Sequence, residues 1–185
     1  MEIHLVRHTQ VDVDSEMCYG HLDVPLADSF NQEIQLIMNQ IDKDYDVYYS
    51  SPLSRCRLLI EQLTSNGYLI DERLLECNFG DWEGNIWSEI EDDTLPIWFD
   101  EFVETCPPNG ESLVQMQSRV ECFLQELLEI GLSKVLIVTH AGVLRLFYRY
   151  VLEFPLQNLF KVSFAYGKVL KLRIESNSVY NKIIN

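Results

Sequence analysis

The chain has 185 residues, of which 47% are hydrophobic, and a formal net charge of −15 from 14 Lys and Arg against 29 Asp and Glu. That length suits one domain with its own core, and the apolar content excludes a disordered or fibrous chain. The acidity argues against a nucleic-acid binder, which needs a basic face, and no run approaches the ~18 apolar residues of a membrane span. Met1-Glu2 leads straight into a strand-like segment with no basic region or small-residue cleavage site, so a cytoplasmic protein is expected. Cys18, Cys56, Cys77, Cys106 and Cys122 are odd in number and form no C-x-x-C pair. They read as reduced, partly buried thiols rather than a disulfide or metal framework.

Glu2 to Arg7 is a short apolar segment with the pattern of a buried strand. A loop follows through Gly20 and Pro25, and the recurrence of Ile34, Ile37, Met38 and Ile41 predicts a helix from about Ala27-Asp28. Tyr45 to Ser50 is a second strand. Ser51 before Pro52 signals a helix start, with Ser51 at N-cap and proline at the first position, and Asn66-Gly67 closes that helix. Tyr68 to Ile70 reads as a third, short strand leading to Leu74-Leu75-Glu76.

From Asn85 to Asn109 the periodicity weakens, and seven acidic residues surround Trp87, Trp98, Phe99 and Phe102. We read this as a small helical cap inserted at about 85–110. Glu111 or Ser112 opens a long amphipathic helix that Gly131 stops. Lys134 to Thr139 is a continuous β-branched run, hence a strand covered on both faces, and Ala141 to Leu152 is helical. Lys161–Tyr166 and Val169–Glu175, joined near Gly167, have the pattern of a hairpin. Strands alternating with helices predict a three-layer α/β sandwich, with a mostly parallel central sheet and an antiparallel edge hairpin, as a single domain over 1–185.

In open parallel sheets, sites form beyond the carboxyl ends of the strands. Arg7 and His8 end the first strand, Arg55 lies in the first turn after the second, and His140 ends the Lys134–Thr139 strand. Two guanidinium forks beside helix N-termini describe a phosphate pocket. A neutral imidazole there can attack phosphorus and carry the phosphoryl group, while the arginines and a protonated second histidine spread the transition-state charge. The leaving alkoxide needs a proton, and a carboxylic acid with a raised pKa could supply it. Glu76 is the candidate, with Asp81 and Glu83 as nearby competitors.

Leu5-Val6-Arg7-His8-Thr9, Ser50-Ser51-Pro52-Leu53-Ser54-Arg55, Leu74-Leu75-Glu76 with Phe79-Gly80-Asp81-Trp82-Glu83-Gly84, Pro108-Asn109-Gly110-Glu111-Ser112 and Val138-Thr139-His140-Ala141-Gly142 occur in this order. Together they resemble the histidine phosphatase, or phosphoglycerate mutase-like, superfamily over essentially the whole chain. The resemblance implies that His8 is the phosphohistidine nucleophile and Glu76 the proton donor. It implies a phosphate pocket of Arg7, Arg55 and His140, with no metal or cofactor. Three features depart from the family pattern. Thr9 replaces the glycine after the histidine, Asp14 stands where many members place a phosphate-binding Asn, and no glycine follows Pro25-Leu26.

Within the family, the short length, the segment Tyr19 to Ala27 and Phe79 to Gly84 are most similar to α-ribazole phosphatases, which remove the 5′-phosphate from α-ribazole phosphate or from the cobalamin phosphate precursor. The expected partner is thus a small phosphate ester, with no nucleic acid and no membrane. A broad phosphosugar phosphatase or a small mutase remains open, as does, remotely, a non-catalytic phosphate-binding module. The cap aromatics suit a benzimidazole ring or only their own small core, and the cap acids disfavour polyphosphates. His4 and His21 read as structural or loop histidines, Arg57 as solvated, and Arg145 as an ion-pair partner.

Overall fold

Alternating residues of the first strand serve two different cores, and that division organises the molecule. The structure is a computed structural model and describes residues 1–175 and 177–184. In chain order the elements are β1 (Glu2–Arg7), α1 (Phe30–Met38), β2 (Val47–Ser50), α2 (Ser54–Leu63), β3 (Leu69–Ile70), α3 (Thr94–Glu101), α4 (Leu113–Ile130), β4 (Lys134–Thr139), α5 (Ala141–Leu152), β5 (Val169–Arg173) and β6 (Lys182–Ile184), with 3₁₀ turns between several of them. The strands form one sheet in the order β3-β2-β4-β1-β5-β6. The first four in that order are mutually parallel, while β5 joins β1, and β6 joins β5, antiparallel.

Ile3 and Leu5 of β1 face the side covered by α4 and α5, where Met116, Phe123, Val143 and Phe147 complete the larger core. Val6 faces the other side, against Ile37 of α1 and Leu59 and Ile60 of α2. The result is the three-layer α/β sandwich. The α4 helix starts with a capping box, in which Ser112 Oγ accepts from Gln115 N and the Gln115 side chain accepts from Ser112 N, and it ends at Gly131 with φ +78°. A third cluster, separate from both cores, gathers Cys18, Trp82, Leu95 and Trp98 beneath α3.

Two expectations are corrected. Ser51 does not cap α2, which begins at Ser54 with Leu53 in the cap position and no side-chain cap bond of its own. The acceptor comes instead from the preceding loop, where Asp23 Oδ1 takes the backbone N–H and the hydroxyl of Ser54 at 3.1 and 2.7 Å. Lys161–Tyr166 is not a strand either. Its start is a 3₁₀ turn over Leu156–Lys161, and the antiparallel edge consists of β5 with β6. The carbonyls of Val162 and Phe164 accept from the Arg145 and Arg7 side chains, so this backbone serves the pocket rather than a ladder.

Candidate active site

Strand register brings the two histidines together. Arg7 pairs with Thr139 across β1 and β4, so the next residues, His8 and His140, leave the sheet side by side. The His8 N–H donates to the Thr139 carbonyl at 2.9 Å, and the rings meet edge to face with centroids 5.2 Å apart. On the neighbouring strand the Ser51 N–H donates to Val138 O at 3.0 Å, which places Ser51 Oγ 2.7 Å from His140 Nε2. Freed from capping α2, Ser51 orients the second histidine.

Both arginines are anchored from behind. Arg7 donates through Nη1 to Phe164 O at 2.6 Å, and its guanidinium lies 3.8 Å from the centroid of the Tyr166 ring. Arg55, fully buried, donates to Gly20 O at 2.6 Å and Leu22 O at 2.9 Å. These bonds draw the Gly20–Leu22 loop onto α2. What they leave is informative: Arg7 Nε and Arg55 Nε are both buried without an acceptor. Buried charged donors without partners are costly unless a ligand meets them, and an oxyanion is the ligand they fit.

His8 is 2% exposed, and its Nδ1 lies 2.8 Å from Thr9 O. A backbone carbonyl can only accept, so the proton sits on Nδ1 and the Nε2 lone pair is free. Burial holds the ring well below the usual histidine range, Arg55 and Arg7 reinforce this, and the Thr9 bond opposes it. His140 is likewise depressed, first by burial and then by Arg55 and His8. Both rings are therefore neutral in the free protein. The sign for stability follows. An unfolded chain takes up these protons below pH about 6.5 and the folded chain does not, so stability is retained above that pH and lost as pH falls. Thermal melts from about pH 8 down to pH 5 should show a loss approaching ~1.4 kcal/mol per pH unit for each ring. His8→Asn should flatten that slope, and an unchanged slope would remove His8 as its source.

Glu76 arrives from the loop after β3. Its Oε1 accepts from Cys77 N at 3.0 Å, and both carboxyl oxygens accept from Gly142 N at 3.0–3.1 Å. Gly142 is in the first turn of α5, and a Cβ there would lie 2.1 Å from Glu76 Oε1. The glycine of His140-Ala141-Gly142 is therefore what lets the carboxylate approach this helix N-terminus.

A cavity of about 420 Å³ opens in front of these groups, within the range of small-molecule sites of roughly 300–1,000 Å³. Arg7, His8, Arg55 and Glu76 are on its wall; His140 is not, and reaches it only through its edge-to-face contact with His8. The wall also carries apolar side chains, those of Trp87, Trp98, Phe102, Met116, Leu159 and Phe160. Trp87 and Trp98 stack with centroids 5.7 Å apart and a 20° tilt, so they pack the cap and line the cavity at once. Trp82 is purely structural, buried and donating to Asp92 Oδ2 at 2.9 Å. None of the cap acids is on the wall. Asp14 is exposed and accepts from Glu16 N.

A profile of the histidine phosphatase superfamily (branch 1) matches residues 3–185. The chain belongs to that superfamily. It is a phosphatase, as its named relatives are. It is 29% identical over 181 residues, 94% of this chain and 89% of the other, to a protein of Hydrogenobacter thermophilus provisionally named phosphoserine phosphatase 2. It is 28% identical over 169 residues to the adenosylcobalamin/alpha-ribazole phosphatase of Salmonella typhimurium, covering 86% of this chain and 83% of that protein. Among solved structures, the alpha-ribazole phosphatase of Shigella flexneri superposes with a TM-score of 0.86 at 25% identity, covering 95% of this chain and 92% of the other.

Several residues of this histidine phosphatase site escaped the sequence. Arg145 forms no ion pair among the described residues. Its Nε donates to Val162 O at 2.8 Å, and the side chain lines the cavity. Tyr19 also lines the wall, and its hydroxyl meets that of Tyr166 at 2.7 Å, beside the Tyr166 ring that stacks on Arg7. His21 is on the far side of the acid, with Nε2 2.9 Å from Glu76 O. Tyr19 and His21 lie in the Tyr19–Ala27 segment and Ser51 in Ser50-Ser51-Pro52, but none of these segments, nor Arg145 on its helix, signalled the contact it makes.

Proposed function

We propose that this phosphatase is a metal-independent phosphomonoesterase acting through phospho-His8, and that it removes the 5′-phosphate of α-ribazole phosphate or of the cobalamin phosphate precursor. The observation that carries the chemistry is the pair of unpartnered, buried Nε–H donors of Arg7 and Arg55 beside a neutral His8 with its Nε2 lone pair free. In the first step Nε2 attacks phosphorus, the bond from phosphorus to the ester oxygen breaks, and Glu76 in its acid form gives that oxygen its proton. In the second step water attacks the phosphohistidine, Glu76 takes the water proton, and the electrons of the broken N–P bond return to Nε2. Arg7 and Arg55 hold the equatorial oxygens in both steps. His140 supports His8, and an arriving phosphate dianion favours its protonation.

The aromatic wall supports the substrate assignment, because a flat heterocycle can stack where Trp87, Trp98 and Phe102 line the cavity. Phosphoserine is the second reading, favoured by Arg145, the cation on the wall besides Arg7 and Arg55 and a partner for a carboxylate. Hydrolysis of p-nitrophenyl phosphate should survive EDTA and be blocked by vanadate. In a panel of α-ribazole phosphate, phosphoserine, 3-phosphoglycerate and common sugar phosphates, α-ribazole phosphate should lead in kcat/KM by about tenfold or more, the scale of one good apolar contact. Equal rates across the panel would discard the substrate assignment, and a lead for phosphoserine that Arg145→Met abolishes would establish the second reading.

A further inference from the structure

Arg119, on the second turn of α4 and outside the cavity wall, reaches into the loop that carries Glu76. Its Nη1 donates to Arg73 O and to Leu75 O, both at 2.8 Å, and its Nη2 donates to Glu76 O at 2.8 Å. The one intervening carbonyl, that of Leu74, accepts from Thr139 Oγ1 at 2.6 Å. Four consecutive carbonyls are thus held by side chains, three of them by one guanidinium. The remaining donor directions of Arg119 meet Glu111, with Nε to Oε2 at 3.0 Å and Nη2 to Oε1 at 2.5 Å. Glu111 in turn grips the loop from its far side: Oε1 accepts from Asn78 N, and its own backbone N–H donates to Asn78 O, both at 2.9 Å.

Besides this clamp, His21 Nε2 lies 2.9 Å from the Glu76 carbonyl and Gly142 N donates to the Glu76 carboxyl. Residues 75–78 lie between 3₁₀ turns, outside any strand or helix, and no ladder fixes their carbonyls. The planar fork of an arginine suits such a task, since its donors diverge in one plane at fixed angles and a lysine ammonium would satisfy only part of the set. The α4 helix is itself fixed by the capping box at Ser112, so the clamp has a rigid base. We propose that Arg119, braced by Glu111, is a positioning residue for the reaction: it fixes the backbone from which Glu76 reaches the leaving oxygen. The inference rests on Glu76 being the proton donor, and a misplacement of about 1 Å in such a group can cost on the order of a hundredfold in rate.

The test exploits the leaving group. An alkyl phosphate needs a proton delivered as its P–O bond breaks, whereas p-nitrophenolate departs without one. Arg119→Met, Arg119→Lys and Glu111→Gln are compared with Glu76→Gln and the unaltered enzyme, reading kcat/KM, which reports the first phosphoryl transfer. Glu76→Gln should lose about a hundredfold or more on an alkyl phosphate and little on p-nitrophenyl phosphate. Arg119→Met should show the same split at roughly tenfold to a hundredfold, with Arg119→Lys and Glu111→Gln between it and the unaltered enzyme. A role confined to general stability would lower both substrates by one factor, and that result overturns the proposal, as does no loss on either. If Arg119→Met does not fold, the same split is read from the two milder variants. If Glu76→Gln itself shows no split, the proton-donor assignment fails; if it does and the Arg119 and Glu111 variants do not, the positioning role alone fails.

Discussion

Replacing His8 by Asn should lower turnover by roughly four to six orders of magnitude, the scale seen when the nucleophile of a covalent mechanism is removed. The substitution is chosen to spare the fold. An Asn amide can still donate to the Thr9 carbonyl that now accepts from Nδ1, in a position 2% exposed, but it has no second nitrogen lone pair to offer phosphorus. Incubation with a ³²P-labelled ester, quenched in alkaline SDS, should trap a phosphoprotein that is stable to base and lost on acid treatment with the unaltered chain, and none with the variant. Retention of more than about a hundredth of the turnover would require direct attack by water instead.

Arg55→Met should be nearly as damaging, for two separable reasons. Gly20 O loses a charged donor in a buried setting, which costs about 1–3 kcal/mol, and the loss of the partly exposed bond to Leu22 O further loosens the loop those bonds tie to α2. The phosphoryl group would lose one of the two guanidinium partners proposed for it, which should reduce kcat/KM by about 10²–10³-fold. A third effect has a definite sign. Arg55 is among the causes depressing both His8 and His140, so its removal lets both pKa values rise, and the acidic limb of the pH–kcat/KM profile should move to higher pH. A limb that stays in place would show that burial alone keeps the nucleophile neutral.

The strands and helices with continuous apolar runs were legible to the residue: β1, β4 and α5 have the bounds read from the sequence. Arg7-His8 and His140 follow strands that end at the same carboxyl edge of a parallel sheet, which is why they could be brought together without coordinates; the register that pairs Arg7 with Thr139 came only from the structure. Elements whose backbone serves the site were not legible. Val162–Tyr166 alternates like a strand, yet Arg7 and Arg145 take its carbonyls, and nothing local encodes that demand. β6 has three largely exposed residues and no periodicity to detect. Ser51-Pro52 shows a local rule overridden: the capping residue is engaged by His140, and Asp23 supplies the acceptor from another loop. Glu76 was legible in a motif as the candidate acid, while the clamp around it was not, because Arg119 meets its partners only once α4 has packed against the turn that precedes Glu76.

The position of β1 in the sheet also sets a timetable. Its partners are β4, beginning at Lys134, and β5, beginning at Val169, so the strand bearing His8 is synthesised well before either of its neighbours. At ribosomal rates of about 5–20 residues per second, it waits on the order of ten seconds with both edges open. Even then its pairing is non-local, the slowest kind to form and the most exposed to aggregation on the way. That pairing also fixes the backbone around His8, because Arg7 N donates to Lys168 O and Gly167 N donates to His8 O at the start of the arriving β5. A nascent chain of this enzyme therefore carries His8 without its cross-strand neighbours until both β4 and the Gly167–Arg173 stretch have been made.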